Sequence, residues 1–205
     1  MAKYSDIKGF TVQTLSSDPV ASQAAGGSWS SGGDLNTARS YLVGMGISTA
    51  ALAAGGYTGS YTGKTESYNG TSWTETTDLN TTRAIGAGAG TYTAAIYFGG
   101  GTDPTNYDNT ESWNGSTWTE TTDLNTARSG GAMSGDSSTS ALLADGNDSK
   151  KVEQWDGTSW TEIAETNQER GDIFGGIGNV TSAMVAGGYS PAPVSPVTTV
   201  NVELW

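Results

Sequence analysis

The 205-residue chain contains no cysteine and no histidine. Without cysteine it can form neither disulfides nor catalytic thiolates. Without histidine it lacks the commonest general base and the most frequent metal ligand. These absences exclude thiol chemistry, soft-metal sites and most nucleophile–base arrangements. We therefore expect no cofactor and no bound metal.

Basic residues are scarce: nine lysines and arginines stand against 21 aspartates and glutamates, which gives a formal net charge of −12. A surface of this sign repels nucleic acid and anionic membranes. The chain has no apolar run long enough to cross a bilayer, so we expect no membrane insertion. Lys3, Asp6 and Lys8 interrupt the N-terminal stretch, which argues against a secretion signal.

The chain does contain one segment repeated four times. The copies begin at Trp29, Trp73, Trp118 and Trp160, with a period of 42 to 45 residues. Residues 73–83 and 118–128 are almost identical. A period of this length indicates one small unit that cannot bury its apolar face alone and must stack against its neighbours.

Each copy predicts four short antiparallel strands. A glycine-rich run after an arginine predicts the inner strand. A double glycine at the end of the second strand predicts a turn with positive φ. The third strand carries an acidic residue two positions before an aromatic one. Asn-Gly or Asp-Gly then predicts a tight hairpin with positive φ at both central residues. These positions are Arg39, Arg83, Arg128 and Arg170, the pairs Glu66/Tyr68, Glu111/Trp113, Glu153/Trp155 and Glu203/Trp205, and the turns at Asn69, Asn114 and Asp156.

The double glycine, the aromatic residue of the third strand and the tryptophan of the fourth resemble kelch repeats over residues 29–205. The resemblance implies an all-β fold, a small kelch-like β-propeller of four four-stranded blades. Trp205 ends the third strand of the last unit, and residues 27–29 are similar to residues 70–73. We predict that the strand at Trp29 closes the blade that ends at Trp205. Closure between chains, as a homo-oligomer, is the alternative.

A narrower resemblance is to the kelch-like repeats of structural proteins from marine bacteriophages, notably those that infect cyanobacteria. Residues 110–120 and 123–128 carry it, and residues 4–15 are similar to the start of such proteins. It implies a non-enzymatic virion protein, a capsid decoration, knob or tail appendage, whose partners are other capsid or tail proteins. The alternative is an adhesin module that binds a host-surface glycan or protein through its loops.

Residues 1–28 lie outside the repeat, and we predict that they form an attachment arm. Phe10 and Val12 alternate with polar residues, which is typical of a strand with one apolar face. The prediction is that Ile7, Phe10, Val12 and Leu15 contact a partner, for instance by adding a strand to its sheet. A frayed tail or a strap across the propeller is the alternative.

The repeated arginines and carboxylates allow two interpretations. They could form a ring of charge that grips a ligand, or each arginine could pin its own blade through carboxylates such as Glu66 and through backbone carbonyls. Residues present in every copy usually serve the repeat, so we predict structural staples. A catalytic carboxylate pair should be singular, and we predict no enzymatic activity.

Loops that differ between copies are the better candidates for recognition. They carry Tyr57, Tyr61, Tyr107 and Tyr189 at the same phase of their units, so we expect these side chains on one rim of the ring. Aromatic side chains there suit sugar or protein contacts, and ordinary variable loops are the alternative. Residues 103–109 and 145–148 are acidic but lack EF-hand spacing, and we interpret them as turns.

Overall fold

The computed structural model describes residues 29–173, 176–190, 197–198 and 201–205. The chain divides into two units, Met1–Gly32 and Gly33–Trp205. The arm predicted at residues 1–28, with Ile7, Phe10, Val12 and Leu15, lies outside the described residues and stays a prediction. All of the described strands belong to the second unit.

Short strands joined by tight turns build the second unit, and the described residues contain no helix. Sheet one consists of β1 (Val43–Ile47), β2 (Ala50–Ala54), β3 (Thr65–Tyr68) and β4 (Trp73–Glu75). Sheet two consists of β5 (Ala87–Gly90), β6 (Ala95–Phe98), β9 (Thr110–Trp113) and β10 (Trp118–Glu120), and its loop carries the hairpin β7 (Gly101–Thr102) and β8 (Thr105–Asn106). Sheet three consists of β11 (Ala132–Ser137), β12 (Ser140–Ala144), β13 (Ser149–Trp155) and β14 (Trp160–Arg170). Sheet four consists of β15 (Gly176–Asn179), β16 (Ser182–Ala186) and β19 (Val202–Leu204), beside a small ribbon of β17 (Tyr189–Ser190) and β18 (Val197–Thr198).

These four small antiparallel sheets are arranged as a four-bladed β-propeller, which confirms the predicted fold class. The first strands of all four blades contribute to one cavity of about 210 Å³, whose lining includes Gly44, Gly88, Met133 and Gly176. Glycine suits three of these four positions because the inner strands converge there.

The core lies between the blades, because side chains alternate along each strand and give every blade two apolar faces. Met45 and Leu52 of the first blade pack with Trp113 and Trp118 of the second. The other two interfaces have the same form: Ile96 and Phe98 pack with Leu143, Trp155 and Trp160, and Leu142 and Val152 pack with Ala183 and Val185. Each of the three clusters therefore joins consecutive blades.

A chain of backbone hydrogen bonds also links consecutive blades. Ile85 N–H donates to Tyr41 C=O (3.1 Å), Gly130 N–H to Ile85 C=O (3.1 Å), and Ile173 N–H to Gly130 C=O (2.7 Å). Tyr41 and Ile85 have φ values of 56° and 58°, in the left-handed region that few residues other than glycine adopt. The chain of bonds thus runs from the first blade to the fourth.

The hairpins before the tryptophan strands differ from the prediction at one residue. Gly70 has a positive φ of 93°, but the φ of Asn69 is not positive. Instead, the Asn69 side-chain oxygen accepts the N–H groups of Thr71 and Ser72, both at 3.0 Å. The turn is longer than a two-residue hairpin, and its asparagine acts as a hydrogen-bond acceptor in an Asx turn.

The fourth blade has three strands among the described residues, not the four that we predicted. Trp29 lies outside any strand and its side chain is fully exposed. The predicted pairing of Trp29 with the Trp205 strand joins residues of the two units and stays a prediction. Trp205 itself takes the position expected from the repeat, since its indole N–H donates to Val180 C=O at 3.0 Å.

Close packing between inner strands yields a prediction for Gly88. A Cβ atom at Gly88 would lie 2.8 Å from both Met45 Sδ and Val43 Cγ1 of the preceding blade. We expect Gly88→Ala to reduce the unfolding free energy by about 1–3 kcal/mol, because the crowded core must shift. Chemical denaturation followed by circular dichroism measures the loss.

Gly44, at the same register position of the first blade, is the matched control. A Cβ atom there meets nothing within 4 Å, and we expect Gly44→Ala to leave the stability of the monomer nearly unchanged. Equal losses in the two variants would contradict crowding at Gly88 as the cause.

Candidate recognition site

The repeated segment works as a connector between blades. Asp78 accepts the backbone N–H of Thr65 in the first blade at 3.2 Å, and Leu79 N–H donates to Gly63 C=O at 2.9 Å. The next residue, Asn80, donates from its backbone and its side chain to Glu111 of the second blade, at 2.7 and 2.9 Å. The segment thus holds the preceding blade with one half and the following blade with the other.

The arginine of each segment is buried against the glutamate of its own blade. Arg83 and Glu111 are both fully buried and lie 3.1 Å apart, and the Arg83 guanidinium stands 4.8 Å from the centre of the Tyr97 ring. Burial lowers the pKa of Arg83, although Tyr97 and Glu111 act in the opposite direction. Burial also raises the pKa of Tyr97 to about 12. These groups are closed off from any ligand.

The other blades repeat this geometry, which confirms the interpretation of the arginines as staples. The nearest nitrogen–oxygen distances are 3.2 Å for Arg39–Glu66, 2.9 Å for Arg128–Glu153 and 2.6 Å for Arg170–Glu203. Arg39 also donates to the backbone carbonyls of Lys64 and Ala53, at 2.6 and 3.2 Å. The forked guanidinium ties separate strands of one blade together.

Arg170 differs from the other arginines because it has a second carboxylate. Asp145 takes the place of a glycine of the repeat, keeps a left-handed φ of 59°, and lies 3.0 Å from Arg170. Burial raises the pKa of Asp145, and the hydrogen bonds from Thr166 and Arg170 oppose that rise. This pair belongs to the interior of the third and fourth blades, and both side chains are fully buried.

The staples predict loss of stability in acid. Burial alone would raise the pKa of Glu66, but hydrogen bonds from Asn36 and Thr37 and the charge of Arg39 hold it below its ordinary value of 4.5. Its stabilising contribution is therefore present above about pH 4.5 and is lost as pH falls through the folded-state pKa. We expect Glu66→Gln to show a weaker dependence of unfolding free energy on pH below 4.5, measured by urea titrations. Parallel curves for the variant and the original chain would contradict this assignment.

The loops that follow the double glycines form a rim, and the predicted tyrosines lie there. Tyr57 exchanges two backbone hydrogen bonds with Ser40, at 2.8 and 3.0 Å, and Tyr189 makes the equivalent pair with Gly171. The structure brings Tyr57 and Tyr61 together, with ring centres 5.2 Å apart in an edge-to-face arrangement. Tyr107 instead bonds within its own loop, to Thr102 at 3.1 Å. No ring contact joins Tyr107 or Tyr189 to that pair within the described residues.

A groove of about 340 Å³ opens on this rim where the loops of three blades meet. Its lining residues are Tyr61 from the first blade, Ile85 and the β7–β8 hairpin (Gly101 to Asn106) from the second, and Ser129 and Asn147 from the third. Hydrogen bonds fix its walls: Asp103 N–H donates to Tyr61 Oη at 2.8 Å, and Ser129 Oγ–H donates to Asn106 Oδ1 at 2.8 Å. The Asp103–Pro104 bond in this wall is cis.

The chemistry of the groove suits a neutral polar ligand. Hydroxyls, amides, one aromatic ring and the carboxyl group of Asp103 line it, and no lysine or arginine does. Such groups bind the hydroxyls of a sugar or the backbone of a peptide, whereas a phosphate or sulfate would need cations. The described residues hold no cluster of three or more metal-binding side chains and no helix able to span a bilayer.

Sequence reasoning found Tyr61 but missed Asn106, Ser129 and Asn147 as groove residues. The available signal was weak: Asn106 and Asn147 lie in the loops interpreted as plain turns, and Ser129 directly follows the staple Arg128. Their meeting depends on how three blades are set around one axis, which no local pattern encodes.

No protein-family model matches the chain, and a search of curated proteins found no significant match.

Proposed function

We propose that the protein is a non-enzymatic structural component of a bacteriophage particle, a decoration or appendage subunit. Residues 1–28 attach it to capsid or tail proteins, and the propeller is displayed outward. The main support is that the repeated arginines and glutamates pair with each other inside the blades. The fold is thus a rigid scaffold, and residues that differ between the copies line the groove in its loops. The kelch-like phage resemblance of the repeat points the same way.

Deletion of residues 1–28 tests the attachment. We expect the remaining chain, which contains the whole of the unit Gly33–Trp205, to stay folded and to lose binding to particles that lack the protein. The measurement is co-sedimentation with such particles, with circular dichroism as the folding control. Undiminished co-sedimentation of the truncated chain would place attachment on the propeller.

The rim groove supports a second candidate function, the binding of a neutral host-surface glycan. Tyr61 offers a ring face, and Asn106 and Asn147 offer amides around a concave surface. We expect Tyr61→Ala and Asn106→Ala each to weaken binding to host cells at least about tenfold. Tyr92→Ala is the control, because Tyr92 is a half-exposed tyrosine outside the groove. Equal binding by all three variants would remove the groove from host recognition.

A further inference from the structure

Among the described residues, no blade packs on one face of the first blade. In the second and fourth blades, a Cβ atom at Gly88 or Gly176 would collide with the preceding blade, at 2.8 Å from Met45 and 2.0 Å from Met133. Gly44 occupies the same register position, paired with Ala53 as Gly88 is paired with Tyr97. A Cβ atom at Gly44 would meet nothing within 4 Å.

The fourth blade has the complementary free face. Strand register places Ile177 where the other blades have Met45, Ala89 and Ser134. Those three residues are buried under the following blade, with exposed fractions of 6%, 2% and 5%, whereas Ile177 is 59% exposed. Val202 and Leu204, on the same face, are 54% and 81% exposed. Leu204 takes a position at which the other blades carry the polar residues Ser67, Ser112 and Gln154.

The uncovered faces of the first and fourth blades carry the same kinds of residues as the three interfaces between consecutive blades. Between the first two blades, Met45 lies over Gly88, and the Trp118 indole N–H reaches Thr65 Oγ1 at 3.1 Å. On the free faces, Ile177 and Gly44 correspond to Met45 and Gly88. Trp73, which is only half-buried, corresponds to Trp118. The backbone hydrogen bonds that link the blades likewise include none between Ile173 and Tyr41 among the described residues.

We propose that the fourth blade of one copy docks on the first blade of a second copy, with Ile177 against Gly44. The contact continues the blade-to-blade interface of the fold, so its shape and apolar character are already built. It is heterologous, so the copies close into a ring or extend into an open array. The proposal is independent of the phage assignment.

Charge sets the conditions for this contact. Each copy carries a formal net charge of −12, and like charges oppose association until salt screens them. We expect the assembly to strengthen as ionic strength rises, as an apolar interface between two acidic surfaces should. An assembly that dissociates in salt would mean that charge pairs, not this face, hold it together.

The mass in solution is the first test, by light scattering and sedimentation of the full chain over a range of concentrations. We expect at least twice the monomer mass, and we expect Ile177→Asp to weaken association about tenfold or more. Tyr92→Asp is the control, since it places the same charge on an exposed aromatic position of the second blade. A monomer at all concentrations, or assembly unaffected by Ile177→Asp, would overturn the proposal.

Cross-linking shows whether a second copy, the same chain or another segment covers the face at Gly44. The chain has no cysteine of its own, so an introduced cysteine is the only thiol that can react. The Gly44→Cys and Ile177→Cys chains are prepared separately, mixed, and treated with a mild oxidant or a short bifunctional maleimide. We expect a covalent pair that contains one chain of each kind. A chain that carries both Gly44→Cys and Ile177→Cys is treated in the same way. A cross-link formed only within single copies of this double variant would mean that the chain closes on itself. No cross-link in the mixture or in the double variant would mean that another segment covers Gly44, and both of these outcomes overturn the proposal.

Discussion

Replacing Arg83 by methionine is expected to reduce the unfolding free energy by about 3–5 kcal/mol, because it leaves the Glu111 carboxylate buried without its cation. Both side chains are fully buried, so water cannot solvate the remaining charge. The hydrogen bond from Arg83 to the backbone carbonyl of Asn109 is lost as well. Denaturant unfolding followed by circular dichroism measures the change.

The chain offers a matched control for this prediction in the exposed pair of Lys64 and Glu75. These groups lie 2.9 Å apart, but water and salt screen them, and we expect Lys64→Met to cost at most about 1 kcal/mol. The double variant Arg83→Met with Glu111→Met should recover part of the loss, because no charge remains buried. Equal effects of Arg83→Met and Lys64→Met would contradict the description of the arginines as buried staples.

Truncation of Trp118 to alanine is expected to cost about 3–5 kcal/mol. Its indole is 5% exposed, lies 5.3 Å from the ring of Trp113 and donates a hydrogen bond to Thr65 of the neighbouring blade. Removing it leaves a cavity between two blades and takes one hydrogen bond from the Thr65 hydroxyl. Circular dichroism is the appropriate signal, since fluorescence changes with the number of indoles.

Trp73 is the position-matched control, because it has the same place in the repeat but is only half-buried. We expect Trp73→Ala to cost about 1–2 kcal/mol at a protein concentration low enough to keep the chain monomeric. If the two truncations cost the same, the first blade must be covered in solution as fully as the second.

The repeat made the blades predictable from the sequence. Double glycines, Asn-Gly turns and the acidic residue before an aromatic are local signals, and they located the strands and the Arg–Glu pairs. The absence of histidine and cysteine, by contrast, narrows the chemistry but does not locate a binding surface.

Features that depend on the arrangement of blades could not be predicted. The Asn69 turn was wrong in its backbone angles because an Asx side chain can satisfy the turn in more than one way. The faces at Gly44 and Ile177 that no described residue covers depend on whether two distant parts of the chain meet. The groove at Asn106 and Asn147 likewise depends on the angles between three blades.

The connector and the staple of a blade lie within about one repeat of each other in the chain. Asn36 and Glu66, for example, are 30 residues apart, and Asn80 and Glu111 are 31 apart. A gene segment that encodes one repeat therefore carries both partners of its Arg–Glu pair and of its connector. When such a segment is duplicated or deleted, the apolar faces and the few hydrogen bonds between blades must match the new neighbours. Blade number can therefore vary in this architecture without separating any Arg–Glu pair.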